Sequence, residues 1–331
     1  MLRGVHGVAG GSLAQLARML ACARVRSEAD RAAYRAALRE SRQEVAWLAD
    51  EARRRHRTPA RAPVTGEAHA LLEHMVARAA QDEPLSYIIG HQPFGPLHLQ
   101  VRAPVLVPRP ETEAWSMRLG AMVDAAVRAR EEEPRTKVAD APFRVLDLCT
   151  GTGCIALVLA HHLREAFAGP ARPPWRVTAV DSDADAIALA SENMRDHGWE
   201  HTGHVRVVRA DMFADADEEL FLGYDLVVVN PPYVRAAEWD TLDRSVRAYE
   251  SRGALVGSAA CPHDDGLVYY RRLRSLMDRG MCRARVRRGL PAVVVEVGAR
   301  QARDVGNILR GGGRTEIWAD DQEHERVVLV Y

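Results

Sequence analysis

From Phe143 onward the apolar positions come in short unbroken runs, and polar residues collect where the runs end. RVLDL (144–148), RVTAVD (176–181), VRVVRAD (205–211), DLVVVN (225–230) and AVVVEV (292–297) are short and β-branched, and they predict strands. Between and after them, IALVLAHHL (155–163), SDADAIALASENMRDHG (182–198), GLVYYRRLRSLMDRG (266–280) and ARQARDVGNIL (299–309) predict helices. Short apolar strands alternating with helices predict an α/β fold with a mostly parallel sheet covered on both faces. A closing pair, TEIWAD (315–320) and ERVVLVY (325–331), reads as hairpin-like and predicts one antiparallel edge strand. GPARPPW (169–175) and MCRARVRRGLP (281–291) read as loop insertions.

The N-terminal third has a different pattern. Residues 28–57 place Tyr34, Leu38, Val45 and Leu48 at helical spacing, RTPARAPVTG (57–66) breaks the pattern, and residues 67–84 resume it up to Pro84. The spacing predicts a small helical domain over 27–84. LSYIIGHQPFGPLHLQV (85–101), aromatic and β-branched around Gly90, Pro93, Gly95 and Pro96, predicts a β-hairpin linker over 85–107. A helix opens at Glu111 and runs to about Arg130, and the polar stretch from Arg130 to Pro142 is an exposed connection to the sheet domain, which spans 108–331.

Charge narrows the function. Lys+Arg and Asp+Glu are both 45 in 331 residues, so the chain as a whole is not a generic polyanion binder. No run approaches the roughly 18 apolar residues of a membrane span. The five cysteines form no Cys-x-x-Cys, which argues against a zinc site or a disulfide framework and for a reducing compartment. Residues 1–26 carry Arg3, Arg18, Arg24 and Arg26 and no acid. That stretch reads either as a mitochondrial presequence or as the first helix of the N-terminal domain.

The polar ends of the strands carry the candidate chemistry. DLCTGTGC (147–154) has the form strand, glycine turn, helix, so Gly151 and Gly153 let a ligand approach backbone N–H groups at a helix start. It lacks the third glycine of a dinucleotide fingerprint, and Asp147 would repel a pyrophosphate but tolerate a cation such as a sulfonium. Asp181 closes the second strand, where an acid accepts from ribose hydroxyls, and Asp211 closes the third, near where an adenine would lie. Asn230, Pro231, Pro232 and Tyr233 close the fourth. Prolines cannot donate, so this corner offers acceptors: the Asn230 side chain and the prolyl carbonyls. Acceptors aimed at both hydrogens of a planar –NH2 group, with an aromatic face beside it, suit methylation of an amide or exocyclic amine nitrogen.

These pieces carry a resemblance. PLSYIIGHQPF, VLVPRPETE, DLCTGTGCIAL, VVVNPPYV, YESRGALVG, DDGLVYYRRL, VVVEVG and RQARDVGNIL, from about residue 85 to the C-terminus, resemble peptide-chain-release-factor glutamine N5-methyltransferases, enzymes of the class I S-adenosylmethionine-dependent kind. NPPY alone is shared with adenine-N6 DNA methyltransferases; PRPETE before the glycine turn and DDGLVYYRRL after NPPY are more specific. The resemblance implies a Rossmann-like class I methyltransferase sheet and S-adenosyl-L-methionine as cofactor, with no metal. It places Cys149, Thr150, Gly151, Thr152, Gly153, Asp181, Asp211, Met212 and Asn230 at the cofactor. It puts Asn230, Pro231, Pro232 and Tyr233 on the substrate amide, and Arg109, Glu111 and Thr112 of PRPETE along the cofactor pocket. The implied partner is the Gly-Gly-Gln loop of a class I release factor, recognised by a monomer with no stable nucleic-acid or membrane binding, in the mitochondrial matrix or otherwise the cytoplasm. Two departures stand out: Cys149 replaces the family's usual glycine, and Ser251 stands where the family commonly has Glu-Pro. The competing reading is an N-methyltransferase acting on an exocyclic base amine, adenine N6 or guanine N2, of DNA or RNA. The arginines at 271, 272, 274, 279, 283, 285, 287 and 288 would then be its binding patch, or else a solvated helix face and loop.

Overall fold

The computed structural model describes residues 12–25, 31–129, 142–167, 175–257, 265–283, 289–311 and 313–331. The connection 130–141, most of the first loop insertion and the middle of the second lie outside the described residues.

One unit comprises the chain up to Gly90 together with Asp243–Tyr249. It holds α1 (Leu13–Arg24), α2 (Arg31–Arg55), α3 (Gly66–Ala79) and α4 (Leu85–Ile89). Ser12 and Gln15 form a reciprocal capping box that starts α1. Leu16 and Leu20 of α1 are buried against Val45 and Leu48 of α2 and Leu72 and Met75 of α3, and Arg24 pairs with Glu44 at 2.8 Å. Leu13–Arg24 is thus a core helix of this unit. The expected strand at 85–89 is instead α4. Pro84, at φ −54°, sets up its first turn, Gly90 at φ 88° ends it in a left-handed cap, and its β-branched residue Ile88 is buried in the helical core.

The second unit comprises His91–Leu242 and Glu250–Tyr331. It opens with the antiparallel hairpin β1 (His91–Phe94) and β2 (Leu97–Gln100), followed by α5 (Pro110–Ala129). Then come β3 (Phe143–Leu148), α6 (Cys154–Ala166), β4 (Trp175–Asp181), α7 (Ala184–Asp196), β5 (Val205–Arg209) and β6 (Leu226–Val229). The unit closes with α8 (Val268–Asp278), β7 (Val293–Glu296), α9 (Ala302–Leu309), β8 (Thr315–Ala319) and β9 (Glu325–Val330). The sheet order is β5-β4-β3-β6-β7-β9-β8. The first five of these strands are mutually parallel; β9 runs antiparallel to β7 and β8 antiparallel to β9. The C-terminal pair therefore adds two strands, with β9 inside the sheet and β8 on its edge. Separate apolar clusters cover the two faces, as the uninterrupted apolar strands require. The strand order reverses between β3 and β6, so the loops after β3, β4, β5 and β6 converge at one edge, where open α/β sheets bind ligands.

Candidate active site

The turn after β3 is built from the inside. Asp147 is fully buried, and its Oδ2 accepts from Thr150 Oγ1 at 2.6 Å and from the Ala156 backbone N–H at 3.0 Å. Burial pushes this carboxyl up to about 7, against the two hydrogen bonds. Asp147 therefore ties the strand end to the first turn of α6. It is not the open carboxylate beside a cationic ligand that its place in the sequence suggests. Cys149, Gly151 and Gly153 all adopt left-handed conformations, at φ 59°, 55° and 83°. Glycine does so freely; a cysteine there carries backbone strain of roughly 1–2 kcal/mol. Thr150 and Thr152 are 2% exposed. Their side chains face into the protein, leaving Cys149 on the open side of the turn.

That open side faces a cavity of about 530 Å³, lined by Leu148, Cys149, Asp181, Asp211, Met212, Pro232, Tyr269 and neighbours including Arg209 and Gly253. Asp181 stands between the turn and α7: its Oδ2 accepts from Gly151 N–H and its Oδ1 from Asp183 N–H, each at 3.0 Å. Burial raises its pKa, with the two N–H groups opposing. Asp211 is fixed through Oδ1 to the Phe213 N–H at 2.9 Å, and the Met212 carbonyl accepts from Arg272 Nε at 2.6 Å. Phe213 meets Tyr269 edge-on at 5.0 Å between centroids, so aromatic surface borders the Asp211 end of the cavity. Nothing in the sequence marked Tyr269 or Arg209 as site residues beyond their places in a helix and a strand.

Asn230 follows β6, beside Glu296 at the end of β7. Its Nδ2 donates to Thr112 Oγ1 at 3.3 Å, and Thr112 Oγ1 lies 2.7 Å from Glu296 Oε2. Pro231 and Pro232 are buried. The Tyr233 carbonyl accepts from Gln301 Nε2 at 3.1 Å, and Gln301 Oε1 accepts from Gly298 N–H at 3.0 Å, which fixes the chain leaving the corner. A Cβ at Gly298 would stand 3.0 Å from the Tyr233 ring and 2.7 Å from Gln301 Oε1, so a side chain there would shift the glutamine and crowd the ring.

Known proteins resemble this chain in sequence. A family model described as "Methyltransferase small domain" matches residues 136–256. A release factor glutamine methyltransferase of Thermodesulfovibrio yellowstonii is 29% identical over 81% of this chain and 83% of its own length. One of Caulobacter vibrioides is 33% identical over 80% of this chain and 79% of its own length. The chain belongs to the release factor glutamine methyltransferase family. A third relative of that name, from Agrobacterium fabrum, is 33% identical over 76% of this chain and 74% of its own. Among solved structures, the hMettl16 catalytic domain with a MAT2A 3′UTR hairpin superposes with a TM-score of 0.47 and 15% identity, over 77% of this chain and 81% of that one.

Within this family frame the PRPETE segment divides. Arg109 donates to both carboxylate oxygens of Glu250, at 2.9 and 2.6 Å. Glu250 is buried, which raises its pKa, and Arg109 opposes the rise. Glu111 does not line the large cavity. It borders a second one of about 300 Å³ with Trp318, Asp320 and Arg326, at the turn joining β8 to β9. Thr112 is buried behind Asn230 and does not line the large cavity either. Two polar groups escaped sequence reasoning. Glu296 ends an otherwise apolar buried strand, and Asn193 is buried on α7. Asn193 Nδ2 donates to the carbonyls of Thr152 and Gln100, and its Oδ1 accepts from Gln100 N–H, which clamps the glycine turn to β2. An acid closing VVVE was a readable signal; nothing in the sequence marked Asn193.

Proposed function

We propose that this protein methylates the side-chain N5 nitrogen of the glutamine in the Gly-Gly-Gln loop of a class I peptide chain release factor, using S-adenosylmethionine. The observation that carries the reading is that Pro232 of the acceptor corner lines the same cavity as Asp181 and Asp211. On this reading the nitrogen chemistry and a nucleoside-type site share one space. That cavity's volume falls within the roughly 300–1,000 Å³ of small-ligand sites. The residues present suit the cofactor: Asp181 offers acceptor oxygens for ribose hydroxyls, Asp211 and Met212 flank the adenine end, and the acids favour a cationic sulfonium. Of the glycine turn, Cys149 forms part of the cavity wall, while the Gly151 N–H is turned to Asp181.

S-adenosylmethionine supplies an electrophilic methyl group on its sulfonium. The chain's own residues do the rest. The Asn230 side-chain oxygen and the backbone carbonyl of Pro231 or Pro232 accept the two N–H bonds of the glutamine amide, and Tyr233 packs on its plane. Those acceptors draw the nitrogen away from amide conjugation and favour the positive charge it gains as the N–C bond forms and the S–C bond breaks. The nitrogen then gives up one proton to water. Holding nitrogen, methyl carbon and sulfur in line is the remaining, entropic contribution.

The partner reading extends to a monomer without stable nucleic-acid binding. Among the described residues no helix is long and apolar enough to cross a membrane. A matrix location rests on the acid-free N-terminus. Since Leu13–Arg24 belongs to the helical core, targeting would have to act without removing α1.

Tandem mass spectrometry of a release factor incubated with the protein and S-adenosylmethionine tests the reading. One added methyl on the Gly-Gly-Gln glutamine is expected. Methyl transfer to naked DNA with none to a release factor would establish the base-amine alternative instead.

A further inference from the structure

Asn230 can present either its oxygen or its –NH2 to a substrate amide, and only the oxygen accepts. Something must choose between the two faces of that planar group. The choice is made behind it. Trp115 and Thr112 sit three residues apart on the first turns of α5, hence on one face of the helix, and both aim at the same carboxylate oxygen. Trp115 Nε1 and Thr112 Oγ1 each lie 2.7 Å from Glu296 Oε2. Glu296 is 3% exposed and Thr112 2%, so water does not compete for either.

A threonine hydroxyl has one proton and an indole N–H can only donate. With Thr112 donating its single proton to Glu296, its oxygen can only accept. The group facing it at 3.3 Å must then be the Asn230 –NH2. The Asn230 oxygen, on the other arm of the amide, is left as the acceptor. The same proton count holds if burial keeps a proton on Glu296, provided it sits on Oε1.

We propose that Glu296 and Thr112 are positioning residues, a hydrogen-bond relay whose function is to hold the Asn230 amide with its oxygen toward the substrate nitrogen. The inference rests on the substrate-amide role given to Asn230 above, but the relay itself can be observed without substrate. Without it, a flipped Asn230 would set –NH2 against –NH2, which turns an attraction into a repulsion.

The test uses the full chain and the pair Thr112→Val and Thr112→Ser. Valine keeps the shape and removes the hydroxyl; serine keeps the hydroxyl and removes the methyl. The chain has three asparagines, Asn193, Asn230 and Asn307, so selective [15N]asparagine labelling gives a short side-chain amide spectrum in which Asn230→Ala assigns the relevant pair. The Asn230 –NH2 signals of the wild type and Thr112→Ser should exchange slowly with solvent, and those of Thr112→Val fast. In parallel, kcat with a release factor should drop at least about fivefold in Thr112→Val, the scale of one lost hydrogen bond, and recover in Thr112→Ser. The dissociation constant for S-adenosylmethionine should stay unchanged in both. Equal exchange in wild type and Thr112→Val, or a serine variant as slow in turnover as the valine one, overturns the relay. A wild type that leaves the release factor unmethylated overturns the substrate reading instead, while the exchange measurement still decides the relay.

Discussion

At Asp147 a single carboxyl couples the fold to pH. Its pKa rises from an ordinary 3.8 to about 7 because it is fully buried. Between those values the folded chain holds a proton that the unfolded chain has released. The stability this group confers is full below about pH 4 and is lost as pH rises through about 7. Asp147→Asn keeps an oxygen for Thr150 and Ala156 and cannot ionise. The stability of Asp147→Asn relative to wild type should therefore climb between pH 4 and 8, by up to about 4 kcal/mol, on urea midpoints taken at each pH. A difference that stays flat over that range would show that the carboxyl does not titrate there. At Asn230 the expectation is chemical. Asn230→Ala should cut transfer more than about 100-fold, over ~2.7 kcal/mol of barrier, while leaving S-adenosylmethionine binding and thermal stability near wild type. Turnover within about tenfold would remove Asn230 from the acceptor role. Both residues stand at strand ends, and so do Asp181 and Asp211, which is why residue type and position alone exposed them. Glu111 and Thr112 show where that legibility stops. Neighbours on a helix diverge by about 100°, and no local pattern said which one would turn toward Asn230 and which toward the second cavity.

At the scale of elements, the period-2 and period-3.6 patterns reproduce the sheet and its helices because buried strands and helices repeat their environments. The misread element is α4, where two isoleucines suggested a strand. Pro84 and Gly90 fit either reading, and the deciding term is the helical core that Ile88 joins with Leu85 and Ile89 packed beside it, a tertiary effect. The same core decides what the N-terminal stretch does. The charge pattern of residues 1–26 allowed a removable segment, yet α1 buries Leu16, Ala17, Leu20 and Ala21. Leu20 has no exposed surface, so Leu20→Ala should cost roughly 3 kcal/mol by the cavity it leaves, seen as a lower thermal midpoint. Deleting residues 1–26 removes the whole helix and should destabilise the helical unit more than that single change. A truncated chain with the midpoint of the full one would mean that α1 contributes nothing to the core it contacts.

The balance of charge over the whole molecule bears on which amine is methylated. The eight arginines between 271 and 288 would give a nucleic-acid enzyme its patch only if their charges were free. Arg271 pairs with Asp265, Arg274 with Asp278, and Arg272 and Arg279 both with Glu218. Arg283 reaches the buried carboxylate of Asp225 at 3.2 Å, and 284–288 lie outside the described residues. Five of the eight therefore have a carboxylate partner, but Arg272 and Arg279 share one, so four of the eight charges are balanced. Duplex binding loses affinity with salt at a slope of about −0.9 per phosphate neutralised, so eight free arginines would give a slope near −7 and the four unbalanced charges one no steeper than about −4. Fluorescence anisotropy with a labelled duplex, titrated from about 50 to 200 mM salt, should show weak binding and the shallower slope. A slope near −7 would mean that the pairs open for phosphate, and the base-amine reading would return. Methyl transfer to a release factor should meanwhile change little over the same salt range if recognition rests on the loop and the Asn230 corner. A steep duplex slope would mark a nucleic-acid substrate; a shallow one beside salt-insensitive methyl transfer marks a protein loop, whichever release factor the enzyme uses.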